Sequence, residues 1–240
     1  MVKQWLIKLQ GNKFDLQDLS RLLCSPDLSV TEADNSYYLD SEEFNSVTEI
    51  SEVYASATKL LEFINGSAKL DLKNFDAVSV VKVIRFDEDG QRESFVIAPP
   101  MRAKSRVRVR VCLSGEQISS RPPSVLESWT AIARQDERVA KALRIWHSRE
   151  HNWHNLYNVY EVVEGNVGTM SKISKILQNG WATEPEIKLF KRTACNENVL
   201  GDEARHGDSG DKDLKNPMSL AEAESLIARI LKKWLHSKCP

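Results

Sequence analysis

Several common marks of function are missing from this chain. Its formal net charge is −1 over 240 residues, so no overall field draws it to nucleic acid or to anionic membrane, and polyanion binding would need a local patch. No window approaches the roughly 18 apolar residues that span a bilayer. The opening MVKQWLIKLQ lacks the apolar run of a signal peptide. The expectation is a cytoplasmic protein with no membrane partner. The four cysteines, Cys24, Cys112, Cys195 and Cys239, are widely spaced and form no CxxC pair, which removes the usual zinc and disulfide frameworks and leaves reduced, packed thiols. A P-loop, a GxGxxG turn after a strand, a GxSxG elbow and an HExxH helix are all absent, so the sequence gives no cofactor. Asp208, Asp211 and Asp213 lack the ligand spacing of an EF-hand, whose last position would fall on Ser219. No metal is expected.

What is present is an ordinary globular composition, 41% hydrophobic and 28% charged, with enough apolar residues for one large domain or two small ones. Residues 3–10 alternate, with Trp5, Ile7 and Leu9 on one face of a strand. Gly11–Asn12 closes it, and Asp15 is the expected N-cap of a helix carrying Leu16, Leu19, Leu22 and Leu23. Two short strands at 28–32 and 36–39 flank an Asp34–Asn35 turn. Ser46 and Glu49 have capping-box spacing ahead of a long apolar stripe that Asn65–Gly66 is expected to end. From 77 onward the period changes to two. The class is α+β: an N-terminal antiparallel sheet with two covering helices, residues 1–113, followed by a linker at 114–124 and an all-α helical bundle at 125–240.

The last of the N-terminal strands, MRAKSRVRVRVCL, places Arg102, Lys104, Arg106, Arg108 and Arg110 at alternate positions. In a strand all five charges share one face at intervals of about 6.6 Å. That interval matches an extended phosphate backbone, so single-stranded nucleic acid, RNA in particular, is a candidate partner. The same row also reads as a solvated outer face, and it carries no stacking aromatic.

The C-terminal half is helical in pattern. A helical period runs over 125–148 with a break near Asp136, then over 152–164 and 171–178, the last ending at Asn179–Gly180. Thr183, Pro185 and Glu186 begin a further helix through Ala194, and Ser219 with Glu222 caps the final one. Short connections imply an antiparallel bundle, which is also the surface expected to form a homodimer.

Two polar clusters stand out. The loop 200–217 carries Asp202, Arg205 and His206. Imidazole can act as general acid or base, guanidinium can steady a developing anion, and Asp202 can orient the imidazole. Arg192 and Asn196, about one turn apart, are placed to support it. The second cluster is RIWHSREHNWH at 144–154. Arg149 and His154 are separated by four residues, Arg144 and His151 by six, and Arg229 and His236 by six. This spacing resembles the Arg–x4–6–His motif of HEPN-type ribonucleases, helical-bundle enzymes of toxin and phage-defence systems. The resemblance implies that Arg149 and His154 stabilise and polarise a phosphodiester without metal. The half from about 125 to 236 also resembles bacterial helical-bundle proteins with an ARHG loop and a PMSLAEA-type final helix. Two functions follow as expectations: a non-catalytic interaction or RNA-associated protein, and a metal-independent HEPN-like ribonuclease.

Overall fold

A computed structural model describes residues 4–86, 92–96, 122–148, 151–170, 173–205 and 214–239. The protein is α+β, and the chain divides into two compact units, 1–131 and 132–240. The expected linker at 114–124 falls mostly outside the described residues, and the division lies further on, within a helix. Among the described residues no helix is long and apolar enough to cross a membrane.

The first unit is built on a six-stranded antiparallel sheet. Its strands are β1 (Gln4–Gln10), β2 (Cys24–Ser25), β3 (Leu28–Ala33), β4 (Ser36–Ser41), β5 (Ser79–Phe86) and β6 (Arg92–Val96). Their order is β2-β3-β4-β1-β5-β6. The alternation in β1 buries Trp5, Ile7 and Leu9 together. In register with them stand Leu39 and Tyr37 of β4 and Val83 and Val80 of β5, apart from a bulge after Lys8. Helices α1 (Lys13–Leu22) and α2 (Ile50–Asp71) supply Leu16, Leu19, Val53, Leu60 and Ile64 to the same core. Asp34 and Asn35 both have positive φ, 50° and 55°, the two left-handed residues that a tight β3–β4 hairpin requires.

Three local expectations are corrected. Asn12, not Asp15, caps α1, accepting from the Phe14 amide. Asp15 is buried inside the first turn and accepts from the Asp76 amide, so a tertiary partner takes the side chain that local spacing assigned to the cap. Ser46 and Glu49 form no capping box: Ser46 ends a short 3-10 turn and donates to the Glu43 carbonyl, and α2 starts at Ile50 without a side-chain cap. Nor does Asn65–Gly66 stop α2, which continues to Asp71. The Asn65 amide instead bonds both backbone groups of Val78, donating at 2.9 Å and accepting at 3.0 Å. That pairing satisfies a buried polar side chain inside a helix. Val78 also explains Gly11, where an added Cβ would lie 2.7 Å from the valine Cγ1.

Helix α3 (Val125–Gln135) begins in this unit. Leu126 joins the sheet's core. Ser124 and Glu127 exchange cap bonds with each other's amides. The buried Glu127 carboxylate also accepts from Cys24 N and Ser25 N at 2.8 and 3.0 Å.

The second unit contains α4 (Glu137–His147), α5 (Trp153–Val167), α6 (Lys175–Gln178), α7 (Glu184–Ala194), α8 (Glu197–Leu200) and α9 (Leu220–Lys238). It is not purely helical, because β7 (Thr169–Met170) and β8 (Ile173–Ser174) pair in a small ladder. The break at 136 is real: Asp136 caps α4 by accepting from Arg138 N and Val139 N. Thr183 with Glu186 and Ser219 with Glu222 form capping boxes with both reciprocal bonds. α9 packs along α5, burying Leu226, Ile230 and Trp234, and the indole of Trp234 donates to Asn166 Oδ1. Two bonds hold α9 antiparallel to α4. Lys238 meets Asp136 at 2.7 Å, and Glu224 meets His151, just beyond the end of α4, at 2.9 Å.

Candidate functional site

The chemistry of the second unit gathers along one face of α5. Its sequence YNVYEVVE places Tyr157 four residues before Glu161 and Tyr160 four residues before Glu164, and residues four apart on a helix are surface neighbours. Each pair holds a cation brought from elsewhere. Arg205 lies over the Tyr157 ring at 4.1 Å from its centroid and donates to Glu161 Oε1 at 2.7 Å. Lys191, from α7, lies 4.8 Å from the Tyr160 centroid and donates to both Glu164 oxygens at 3.2 and 3.3 Å. Cation–π attraction and a charge-assisted hydrogen bond act together in each. Phe190 supports both from beneath, 5.6 Å from Tyr157 and 5.7 Å from Tyr160.

The hydroxyls differ. Tyr160 donates to Glu164 at 2.5 Å. Burial first, and then this carboxylate, push its ionisation well above the ordinary phenol range, so it remains a donor. Tyr157 is also raised, by burial first and by Cys195 next, while Arg205 pulls it back. Its surroundings therefore contain a thiol and a guanidinium. Arg205 reaches this position because its backbone amide donates to the Ala194 carbonyl at 2.9 Å, which ties the segment after α8 to the end of α7.

The residues nominated by sequence separate under this geometry. Arg205 is the centre of one clamp. His154 is exposed in the first turn of α5, three residues before Tyr157 and seven before Glu161, and so on the same helix face. One residue from each of the two sequence clusters thus reaches a common surface. Asp202 is exposed in a 3-10 turn over Gly201–Glu203. Arg192 is exposed on α7, whereas Asn196 is buried, its carbonyl accepting from the Val199 and Leu200 amides. Asn196 serves the backbone turn rather than a solvent-facing site. His206, Arg149 and the basic row Arg102, Lys104, Arg106, Arg108 and Arg110 lie outside the described residues.

Two of the three Arg–His spacings involve residues that make fixed internal bonds. His151 Nε2 lies 3.0 Å from the Trp146 carbonyl and Nδ1 lies 2.9 Å from Glu224. Its ring packs on Trp146 with centroids 4.2 Å apart. Arg229 donates to the Trp181 carbonyl and, at 2.6 Å, to Glu186. That guanidinium, followed by the Thr183 amide, lowers Glu186 to about 2.

Tyr157 and Tyr160 lie within the helical period at 152–164, and neither they nor Glu161, Glu164 and Lys191 stood out in the sequence. The doubled Tyr–x3–Glu spacing was the available signal, but the cations that complete it come from distant segments. Among the described residues no group of three His, Cys, Asp or Glu side chains is placed to hold a metal ion. Among the described residues, Cys24, Cys195 and Cys239 are not joined in a disulfide. Comparison of the chain with known families, with characterised proteins and with solved structures finds no match.

Proposed function

We propose that this is a cytoplasmic, non-catalytic interaction protein that associates with single-stranded RNA. The observation that carries the non-catalytic part is the bonding of the nominated cations and imidazole. Arg205 is held by Glu161, Arg229 by Glu186, and His151 lies between Glu224 and a backbone carbonyl. A guanidinium already paired with a carboxylate has less field to offer a developing phosphorane. The RNA part rests on the alternating cations from Arg102 to Arg110, and homodimerisation through the helical unit belongs to the same reading.

The test is binding of a fluorescent single-stranded oligoribonucleotide across a salt series. Five phosphate contacts give a slope of log affinity on log salt of about −3.5. Replacing Arg106, Arg108 and Arg110 with Ser should reduce the slope by about 2. Absence of binding at the lowest salt overturns the RNA part. Sedimentation across a concentration series tests the dimer.

The ribonuclease alternative retains one pair, Arg149 and His154, because His154 is exposed on the face that also carries Arg205. Incubation with a mixed RNA substrate separates the readings. Cleavage by the wild type that is lost in His154→Ala favours the enzyme; intact RNA favours the interaction protein.

A further inference from the structure

The face of the sheet turned away from α1 and α2 holds two lysines with no counter-charge. Thr31 of β3, Tyr38 of β4, Lys8 of β1 and Lys82 of β5 stand in register across it. Side chains alternate along a strand, so this row lies opposite the face of Trp5, Ile7 and Leu9. Lys8 and Lys82 are directly opposed, with Cα atoms about 5 Å apart, and like charges so placed destabilise a sheet. A carboxylate between them would relieve the pair, yet neither ammonium has an ion-pair or hydrogen-bond partner among the described residues. Both side chains are half-buried, which makes the repulsion stronger than it would be in open water. A bulge falls beside the pair: Lys8 faces Lys82 but Leu9 faces Val80, so Val81 is the extra residue. Such a bulge bends the strand and re-aims the side chains next to it.

We infer that Lys8 and Lys82 form a site for one phosphate group, which lies between the two ammoniums and cancels the repulsion that the fold leaves in place. Where the phosphate belongs to an RNA backbone, this rests on the RNA-association reading and names a contact separate from the basic row at 102–110. A phosphate diester carries a full negative charge and two unesterified oxygens, one for each ammonium. Lysine suits that task, because its ammonium is a compact point charge with three rotatable donors. The contact is ionic and carries no sequence preference. Tyr38, on the other side of Lys8, is 8% exposed, so its ring is not offered to a stacking base. A free phosphate presents the same oxygens, and the two sources are separated by experiment.

The experiment uses the full-length chain, a labelled single-stranded oligoribonucleotide and inorganic pyrophosphate. Lys82→Glu places a carboxylate opposite Lys8, so it should raise the melting temperature by about 1–3 °C. The same variant should weaken RNA binding on the order of tenfold at low salt. Lys59→Glu makes the same charge change at an exposed position of α2, which covers the other face of the sheet. This control should weaken binding less than about twofold. Lys8→Gln and Lys82→Gln should each lower the salt slope by about 0.7, and the double variant by no more, because one phosphate is shared. A double variant that loses about 1.4 would mean two separate contacts and overturn the shared site. RNA binding that falls equally in Lys82→Glu and Lys59→Glu overturns this inference alone and leaves RNA association to residues 102–110. Wild-type protein that binds no RNA, yet is stabilised by pyrophosphate unless Lys82 is replaced, keeps the site, makes a free phosphate its ligand and removes the RNA reading. Wild-type protein that answers neither probe sinks both. Should Lys82→Glu fail to fold, the glutamine variants decide the matter through the same slopes.

Discussion

Tyr157–Glu161–Arg205 and Tyr160–Glu164–Lys191 stand three residues apart on one helix and rest on one phenylalanine, yet they are finished differently. Lys191 belongs to α7, an element with its own capping box, and its carboxylate is also bound by a buried phenol. Arg205 sits beyond the end of α8, held by a backbone bond to Ala194, a side-chain bond to Glu161 and the ring of Tyr157. The first arrangement exchanges three polar groups among themselves in a partly desolvated place, where hydrogen-bonded charge pairs are firm and costly to break. In the second the guanidinium is the less exposed cation, 24% against 38% for Lys191, and the carboxylate the more exposed one, 43% against 31%. The same tyrosine–glutamate spacing is therefore completed in two ways, and the difference lies in whether the phenol gives its hydroxyl to the carboxylate, as Tyr160 does, or meets the cation, as Tyr157 does.

The largest perturbation removes what the two share. Phe190 is fully buried and lies against both tyrosines and Trp153. Phe190→Ala should cost about 3–5 kcal/mol in chemical denaturation. A loss below about 1 kcal/mol would show that the clamps do not depend on a common floor. Next comes the asymmetry itself. Glu164→Gln should destabilise by about 2 kcal/mol, because it leaves an ammonium without its counter-charge, whereas Glu161→Gln should lie within about 1 kcal/mol of wild type. Equal losses would show that the phenol bond to Glu164 adds nothing to its pair.

Removing single hydroxyls gives a smaller and sharper contrast. Tyr160→Phe should cost about 1 kcal/mol through the lost bond to Glu164, and Tyr157→Phe should cost less, since the ring that lies against Arg205 is kept when the hydroxyl that also meets it is lost. The smallest effect concerns a pair without any tyrosine. Arg229 and the Thr183 amide lower Glu186 from 4.5 to about 2. A folded-state value below the unfolded one contributes stability that is complete above about pH 4.5 and is lost as pH falls toward 2. Acid unfolding of Arg229→Met should lack that component over this window. An unchanged acid profile would assign the lowering to the cap alone.

Much of the fold was legible where a signal is local and the side chain has no competing offer. The boxes at Thr183–Glu186 and Ser219–Glu222, the Asp34–Asn35 turn and the break at Asp136 all follow from bonds within a few residues. Legibility failed where a distant group bid for the same atoms: Asp76 for Asp15, and Val78 for Asn65. The Ser124–Glu127 box was overlooked although its spacing was visible, because the preceding Ser- and Pro-rich stretch read as linker. The candidate site was half legible. Arg205 and His154 were singled out, but as members of separate clusters, and only the packing of α5 sets them on one face. Nothing in the spacing of Arg205 indicates Glu161, which lies 44 residues earlier.

The buried carboxylate of Glu127 has an effect on how the sheet meets other chains. By taking the amides of Cys24 and Ser25 it occupies the donors with which β2 would recruit an incoming strand. Glu127→Gln, which keeps the acceptor but weakens it, would begin to return those donors to an incoming strand.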